Sequence, residues 1–369
     1  MIRVLSVFGT RPEAIKMAPV VHALQADPRF ESVVCVSAQH RALLDQVLGV
    51  FGVHADHDLD LMTPGQSPAE ITSRVLERLP PLIRRIRPDI LLVQGDTMTS
   101  FAAAFAAYLD KVPSGHVEAG LRTGDRYQPF PEEMNRVLTT RLASLHFAPT
   151  AQARDCLLAE GVPAADVHLT GNTVIDALLQ TVRPEYRFRT PALAAIDPGR
   201  RVVLVTTHRR ESFGAPLEST CAALRRLVER FPDIQVVLPV HPNPQVKRTV
   251  EATLCDLERV TLIEPVDYVE FVHLMSRASL ILTDSGGVQE EAPSLGKPVL
   301  VLREVTERPE GVAAGTAVVV GTDQDRIVSL ASELLSSPEA YRRMANAVNP
   351  YGDGHASERI VAAIGERFG

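Results

Sequence analysis

Asp96, Glu118 and Glu132 each follow an apolar run of the sequence or open the helical pattern just beyond one. Taken singly, each reads as a helix cap or a solvated acid. Gathered at successive element ends on one sheet edge, they would push one another's pKa values apart, leaving one group protonated and another ionised at neutral pH. That is the equipment of paired acid and base catalysis. Cations stand in comparable places. Phe8-Gly9-Thr10-Arg11-Pro12-Glu13 has a glycine for a tight strand exit and a proline suited to a first helical turn, so Arg11 and the helix N-terminus would face one anion. Thr206-Thr207-His208-Arg209-Arg210 ends a later run and suggests a second anion contact, while His241 alone carries little weight. The strongest local signal is Thr283-Asp284-Ser285-Gly286-Gly287-Val288-Gln289-Glu290-Glu291, where a strand opens into two glycines and a helix. Ser285 and neighbouring N–H groups can cradle a phosphate there, with Glu291 one turn on in reach of ribose hydroxyls. His54-Ala55-Asp56-His57-Asp58-Leu59-Asp60 imitates a metal cluster, but its spacing fits no zinc or calcium pattern, and it is read as a polar loop.

The elements that must position these groups are short Val, Ile and Leu runs alternating with amphipathic stretches. Strands are expected at 2–8, 33–37, 90–94, 113–117 and 145–148, then at 201–206, 234–239, 260–263, 280–283 and 299–302, with helical patterns such as 13–25, 69–85, 97–109 and 217–230 between them. Strands apolar throughout and separated by helices indicate parallel sheets covered on both faces. The irregular stretch 183–200 reads as a linker or excursion between two doubly wound halves. The expected organisation is a first Rossmann-like domain at 1–182 with the carboxylates, a second at 183–353, and a helix at 354–369 returning to the first. Ligands of such sheets lie beyond the carboxyl ends of the strands, here in a cleft between the halves.

The 369 residues carry a net charge of −7 and are 45% hydrophobic, which suits two globular cores and argues against nucleic acid as the main partner. Four isolated cysteines, Cys35, Cys156, Cys221 and Cys255, suggest neither a disulfide framework nor a zinc site, so a reducing, cytoplasmic compartment is expected. No leader or membrane span is signalled, and the chain has neither GxGxxG nor GxxxxGK[ST]. A bound nicotinamide or P-loop nucleotide is therefore not expected, nor is a metal.

Taken together, the segments FGTRPEAIKMAP (8–19), QGDT (94–97), GHVEAGLRTGD (115–125), PEEMNR (131–136), TGNTVIDAL (170–178), HRRESFG (208–214), LTDSGGVQEEAPSLGKPVLVLR (282–303), TERPEG (306–311) and NPYGDG (349–354) resemble the non-hydrolysing UDP-N-acetylglucosamine 2-epimerases. The likeness runs nearly end to end. It implies a fold of the GT-B type, two Rossmann-like domains around a cleft, in a homodimer without cofactor. It further implies that Asp96, Glu118, Glu132 and His208 serve catalysis. By the same resemblance Arg11, Lys16, Arg136, His241, Ser285, Gly286, Gly287, Glu291 and Arg308 would bind the sugar nucleotide. Gln39, His40 and Gln66 resemble contacts of a second, regulatory UDP-N-acetylglucosamine site, where Ala42 and Gly65 depart from relatives. The implied reaction is inversion at C2 through loss of UDP, a 2-acetamidoglucal, and re-addition. A hydrolysing epimerase, a GT-B glycosyltransferase and a non-catalytic UDP-sugar binder are the rival readings.

Overall fold

A computed structural model of the chain describes residues 1–37, 41–61, 63 and 65–369, the side chains of 41–43 and 210 excepted. The apolar runs become strands because helices cover both faces of each sheet and leave no water-facing side for polar residues. β1 (Ile2–Phe8), β2 (Phe30–Val36), β3 (His57–Asp58), β4 (Ile90–Gln94), β5 (Ser114–Val117), β6 (Leu145–Ala148) and β7 (Val167–Leu169) form one sheet in the order β3-β2-β1-β4-β5-β6-β7. β8 (Arg201–Thr206), β9 (Ile234–Pro239), β10 (Val260–Ile263), β11 (Ala278–Thr283), β12 (Val299–Val301) and β13 (Ala317–Val319) form a second, ordered β10-β9-β8-β11-β12-β13. The pairings in both sheets are parallel. The chain is thus an α/β protein of two doubly wound sheets.

The chain divides into two compact units. Met1–Leu179 joins Tyr351–Gly369 in the first, and Gln180–Pro350 is the second. In the first, Leu5, Val7, Leu91 and Val93 pack under Val75, Leu79 and the alanines of the helix Met98–Leu109. In the second, Val203, Val236, Leu280 and Leu300 are covered by Leu217, Leu224, Leu227 and Ile327. The helix Ala356–Phe368 packs on the helix Arg11–Ala26, and Asp176 accepts the N–H groups of Ala356 (3.2 Å) and Ser357 (2.8 Å) at its start.

In each sheet the strand order reverses at one point, between β1 and β4 in the first and between β8 and β11 in the second. The loops leaving neighbouring strands diverge there and open a crevice at the carboxyl ends. Across the second reversal Thr206 Oγ1 meets Thr283 Oγ1 at 2.6 Å, pinning the two strand ends together.

Three edge strands, β3, β7 and β13, escape the sequence pattern because two or three residues on one edge show no periodicity. The stretch read as a polar loop contains β3: Asp56 N–H donates to Val34 O (2.9 Å) and Leu59 N–H to Val36 O (2.8 Å), so backbone pairing with β2 outweighs its polar composition. The excursion after residue 183 docks on the helix Tyr268–Arg277. Glu270 accepts Arg189 N–H at 2.6 Å and Thr190 N–H at 3.0 Å, and Tyr186 stacks on His273 at 3.8 Å. Among the described residues no helix is long and apolar enough to cross a membrane.

Candidate active site

The turn after β1 is built around a buried carboxylate. Thr10 caps the helix Arg11–Ala26, and Glu13 closes the reciprocal capping box. Glu13 does more than cap. One oxygen accepts Gly9 N–H (3.0 Å) and Thr10 N–H (2.7 Å), while the other accepts Thr97 Oγ1 (2.7 Å) and Ser100 Oγ (3.2 Å) from the turn after β4. It thereby ties the loop bearing Arg11 to the loop bearing Asp96. Burial pushes its pKa up, and the hydrogen bonds from Thr97, Gly9 and Thr10 oppose the rise. Gly9 is required by close approach, since a Cβ there would stand 1.8 Å from Ser37 Oγ. Arg11 itself is half-buried at the first helical position.

Asp96 is not the helix cap that its position suggests. Thr97 takes that place, its Oγ1 accepting Ser100 N–H at 3.0 Å. The Asp96 carboxylate instead meets Arg136 Nη2 at 2.6 Å, and Arg136 Nη1 reaches Glu133 at 3.2 Å. Glu133, only 3% exposed, also accepts the N–H groups of Thr123 and Gly124, fixing the loop beyond Glu118 to the helix Glu132–Leu142. Asn135 Nδ2 donates to Asp96 O at 2.8 Å.

Glu118 is held from three directions. Lys16 Nζ lies 2.6 and 2.7 Å from its two oxygens, Asn172 Nδ2 donates to Oε1 at 2.9 Å, and Gln94 Nε2 donates to Oε2. Its backbone is strained, with φ +67°, a left-handed conformation that costs a non-glycine residue about 1–3 kcal/mol. Behind it, His116 Nε2 donates to Gly95 O at 2.7 Å, and burial drives this imidazole's pKa down to about 3, so it stays neutral. Glu132 differs from its two companions: its Oε2 is buried without a hydrogen-bond partner among the described residues. The first unit therefore offers two carboxylates held by cations and a third with a desolvated, unengaged oxygen. Such a set can move a proton to and from carbon.

In the second unit, His208 and Ser285 follow the two strands that flank the reversal. His208 Nδ1 lies 2.9 Å from Asp284 Oδ1, with the imidazole half-exposed. Ser285 is the N-cap of the short helix Gly286–Glu291, and its N–H donates to Thr283 Oγ1 at 2.9 Å. The Arg308 guanidinium lies beside Gly286, and its Nε donates to the buried Glu290. Glu291, 8% exposed, has Tyr268 OH 3.4 Å away. His241 Nδ1 accepts Asn243 N–H at 3.2 Å, which leaves Nε2 to carry its proton, and its ring leans on Phe213. Serine, arginine and imidazole donors beside a carboxylate suit a phosphorylated ribose.

Some polar side chains near these motifs serve the fold. Arg122 is spent structurally: its guanidinium is bound by Glu160 (2.7 Å) and Thr140 (2.9 Å), so it is not an available anion-binding cation. Gln66 Nε2 donates to Leu61 O at 2.6 Å within its own loop. Gln39 and His40 lie outside the described residues. Conversely, Gln94, Glu133, Asn172 and Asp284 hold the chemistry-bearing side chains and were not singled out. Each sits inside a quoted motif, but which partner it meets depends on another strand.

The UDP-N-acetylglucosamine 2-epimerase family model matches residues 22–365. The UDP-N-acetylglucosamine 2-epimerase of Yersinia pestis is 54% identical over 370 residues, covering 98% of each chain. The crystal structure of the Neisseria meningitidis UDP-GlcNAc 2-epimerase, bound to UDP-GlcNAc, superposes with a TM-score of 0.89 at 47% identity, covering 99% of this chain and 100% of that one. A glycosyltransferase of kitacinnamycin covers 99% of this chain with a TM-score of 0.65 at 15% identity, a likeness of fold alone, and places the architecture in the GT-B class.

Proposed function

The chain belongs to the UDP-N-acetylglucosamine 2-epimerase family, and from that premise we propose that it interconverts UDP-N-acetylglucosamine and UDP-N-acetylmannosamine without releasing the sugar. The hydrogen on C2 is adjacent to no carbonyl, so a simple carbanion there is too unstable to form. Departure of UDP from C1 makes that C–H acidic through oxocarbenium character. A carboxylate then takes the proton and a 2-acetamidoglucal remains. Re-addition of UDP with protonation on the opposite face of C2 inverts the centre. Asp96, Glu118 and Glu132 are the acid and base groups. Ser285, Gly286, Gly287 and Arg308 hold the diphosphate and Glu291 the ribose. Arg11 and His208 reach the diphosphate, and Lys16, Arg136 and His241 bind the sugar nucleotide.

The observation that supports this best is the carboxylate set of the first unit. Glu118 is clamped by Lys16, Gln94 and Asn172 in a strained conformation, Asp96 is paired with Arg136, and Glu132 keeps a buried oxygen unengaged. A glycosyltransferase, one of the rival readings, would need one base in most cases rather than three carboxylates. We take the working form to be a cytoplasmic homodimer. The test is incubation with UDP-N-acetylglucosamine in D₂O, followed by NMR. UDP-N-acetylmannosamine carrying deuterium at C2 is the expected product. Free N-acetylmannosamine with UDP would make the enzyme a hydrolysing one, and no new sugar with no exchange would refute epimerisation.

A further inference from the structure

Asp284 is fully buried at the carboxyl end of β11 and turns its oxygens on one short loop. It accepts His208 N–H at 2.9 and 3.1 Å, Arg209 N–H at 2.9 Å and Ser212 Oγ–H at 3.0 Å. The strand ends here are already joined by the Thr206–Thr283 hydroxyl pair and by Asp284 N–H donating to Thr206 O at 3.2 Å. The remaining contact is of another kind. His208 Nδ1 lies 2.9 Å from Asp284 Oδ1, and the imidazole beyond it is 47% exposed. Burial by itself raises the Asp284 pKa, but the hydrogen bond from His208 and the loop N–H groups more than offset it, so the carboxyl is held below its ordinary range. An ionised carboxylate only accepts hydrogen bonds, so a neutral imidazole facing it carries its proton on Nδ1 and its lone pair on Nε2.

We propose that Asp284 is a positioning residue for the departure and return of UDP: it locks His208 in one tautomer and one orientation, with Nε2 as the atom offered to the diphosphate. The proposal rests on the reading that UDP leaves and re-adds during turnover. In that reading Nε2 takes a proton from water before UDP leaves, donates it in a hydrogen bond to the phosphate oxygen whose bond to C1 breaks, and keeps it until that bond has re-formed. A freely rotating imidazole would present either nitrogen at random.

Asp284→Asn separates this role from scaffolding. The amide oxygen still accepts loop N–H groups, but the amide NH₂ facing Nδ1 demands a lone pair there and drives the histidine proton to Nε2. The tautomer is read from long-range nitrogen–proton NMR of the full-length chain at alkaline pH, with the His208 signal identified by its absence in His208→Gln. The wild-type chain should show Nδ1–H and the Asp284→Asn variant Nε2–H. Turnover of UDP-N-acetylglucosamine should fall by about 10²–10⁴ in kcat with KM little changed, the range seen when a carboxylate orienting a working histidine is made an amide. Ser212→Ala removes a hydroxyl from the same carboxylate and should keep wild-type kcat. Asp284→Asn should cost nothing further in a His208→Gln background.

A wild-type imidazole with its proton on Nε2 overturns the proposal, and that measurement needs no variant to fold. So does an equal loss in Ser212→Ala, or an additive loss in the double variant. Should the wild-type chain fail to convert the sugar nucleotide at all, the function reading fails by itself, and the tautomer arm still decides whether the lock exists.

Discussion

Replacing Gly9 by alanine puts a methyl group into space that two buried hydroxyls already fill. The new Cβ would lie 1.8 Å from Ser37 Oγ, 3.2 Å from Ser37 Cβ and 3.2 Å from Thr99 Oγ1. Backbone strain is not the issue, because Gly9 is not among the residues with positive φ. Nor can Ser37 withdraw, since its N–H donates to Phe8 O at 3.0 Å and holds it in the register of β1 and β2. Its hydroxyl must rotate away and abandon the 3.0 Å hydrogen bond with Thr99. Overpacking costs about 1–3 kcal/mol, and a buried hydroxyl left unsatisfied costs about 1–3 kcal/mol more. The expected destabilisation is thus roughly 2–6 kcal/mol. Ser37→Ala alone should cost about 1 kcal/mol for its lost hydrogen bond. The double variant removes the oxygen that clashes, so it should cost only about 1–2 kcal/mol, far below the additive sum. The chain has no tryptophan, so urea unfolding is followed by circular dichroism. The two units need not unfold together, and amide exchange in β1 and β4 locates the loss. Destabilisation by Gly9→Ala of less than about 0.5 kcal/mol, or additivity in the double variant, would refute the argument.

Acid should weaken the first unit before its carboxylates titrate. Burial lowers the pKa of His116 from 6.5 to about 3 and that of His146 from 6.5 to about 4, so the unfolded chain takes these protons first. The stability they contribute is whole above pH 6.5 and drains away as the pH falls from there through the two folded values; for His116 alone the difference corresponds to roughly 5 kcal/mol. Glu13, whose pKa is raised, works in the opposite direction, the folded chain binding that proton at a higher pH than the unfolded chain does. Urea midpoints measured from neutral to mildly acidic pH should fall, and His146→Gln should flatten that slope; an unchanged slope would count against burial as its cause. Separately, Glu118→Gln should lower kcat at least 10²-fold, and by removing the charge that faces the Lys16 ammonium it should cost about 3–5 kcal/mol of stability. Adding Lys16→Met should restore much of that stability but none of the activity, as measured by unfolding midpoints beside the NMR assay; a double variant no more stable than Glu118→Gln would mean that the ion pair is not the source of the cost.

Local chemistry made much of this legible in the sequence. Unbroken Val, Ile and Leu runs become parallel strands because no strand face is left to water, and Thr10 with Glu13 closes a capping box at the start of a helix. The glycine after β1 was legible as a turn, but its reason was not: the constraint is a serine at the end of the neighbouring strand rather than a special φ. The carboxylates were visible as residues, yet their states were not. Capping places Asp96 beside a helix start, and only the fold assigns the cap to Thr97 and turns Asp96 to Arg136. Arg122 and Arg136 are equivalent in the sequence, but one is spent on Glu160 and the other reaches Asp96. The deciding partners are distant along the chain: Lys16 is 102 residues from Glu118, Asn172 is 54 residues from it, and His208 is 76 from Asp284. Periodicity and capping act within a turn or two, where the chain itself enforces proximity. Whether a buried carboxylate rests beside an ammonium, an imidazole or nothing depends on strand order and register, and on how much water the packed helices expel.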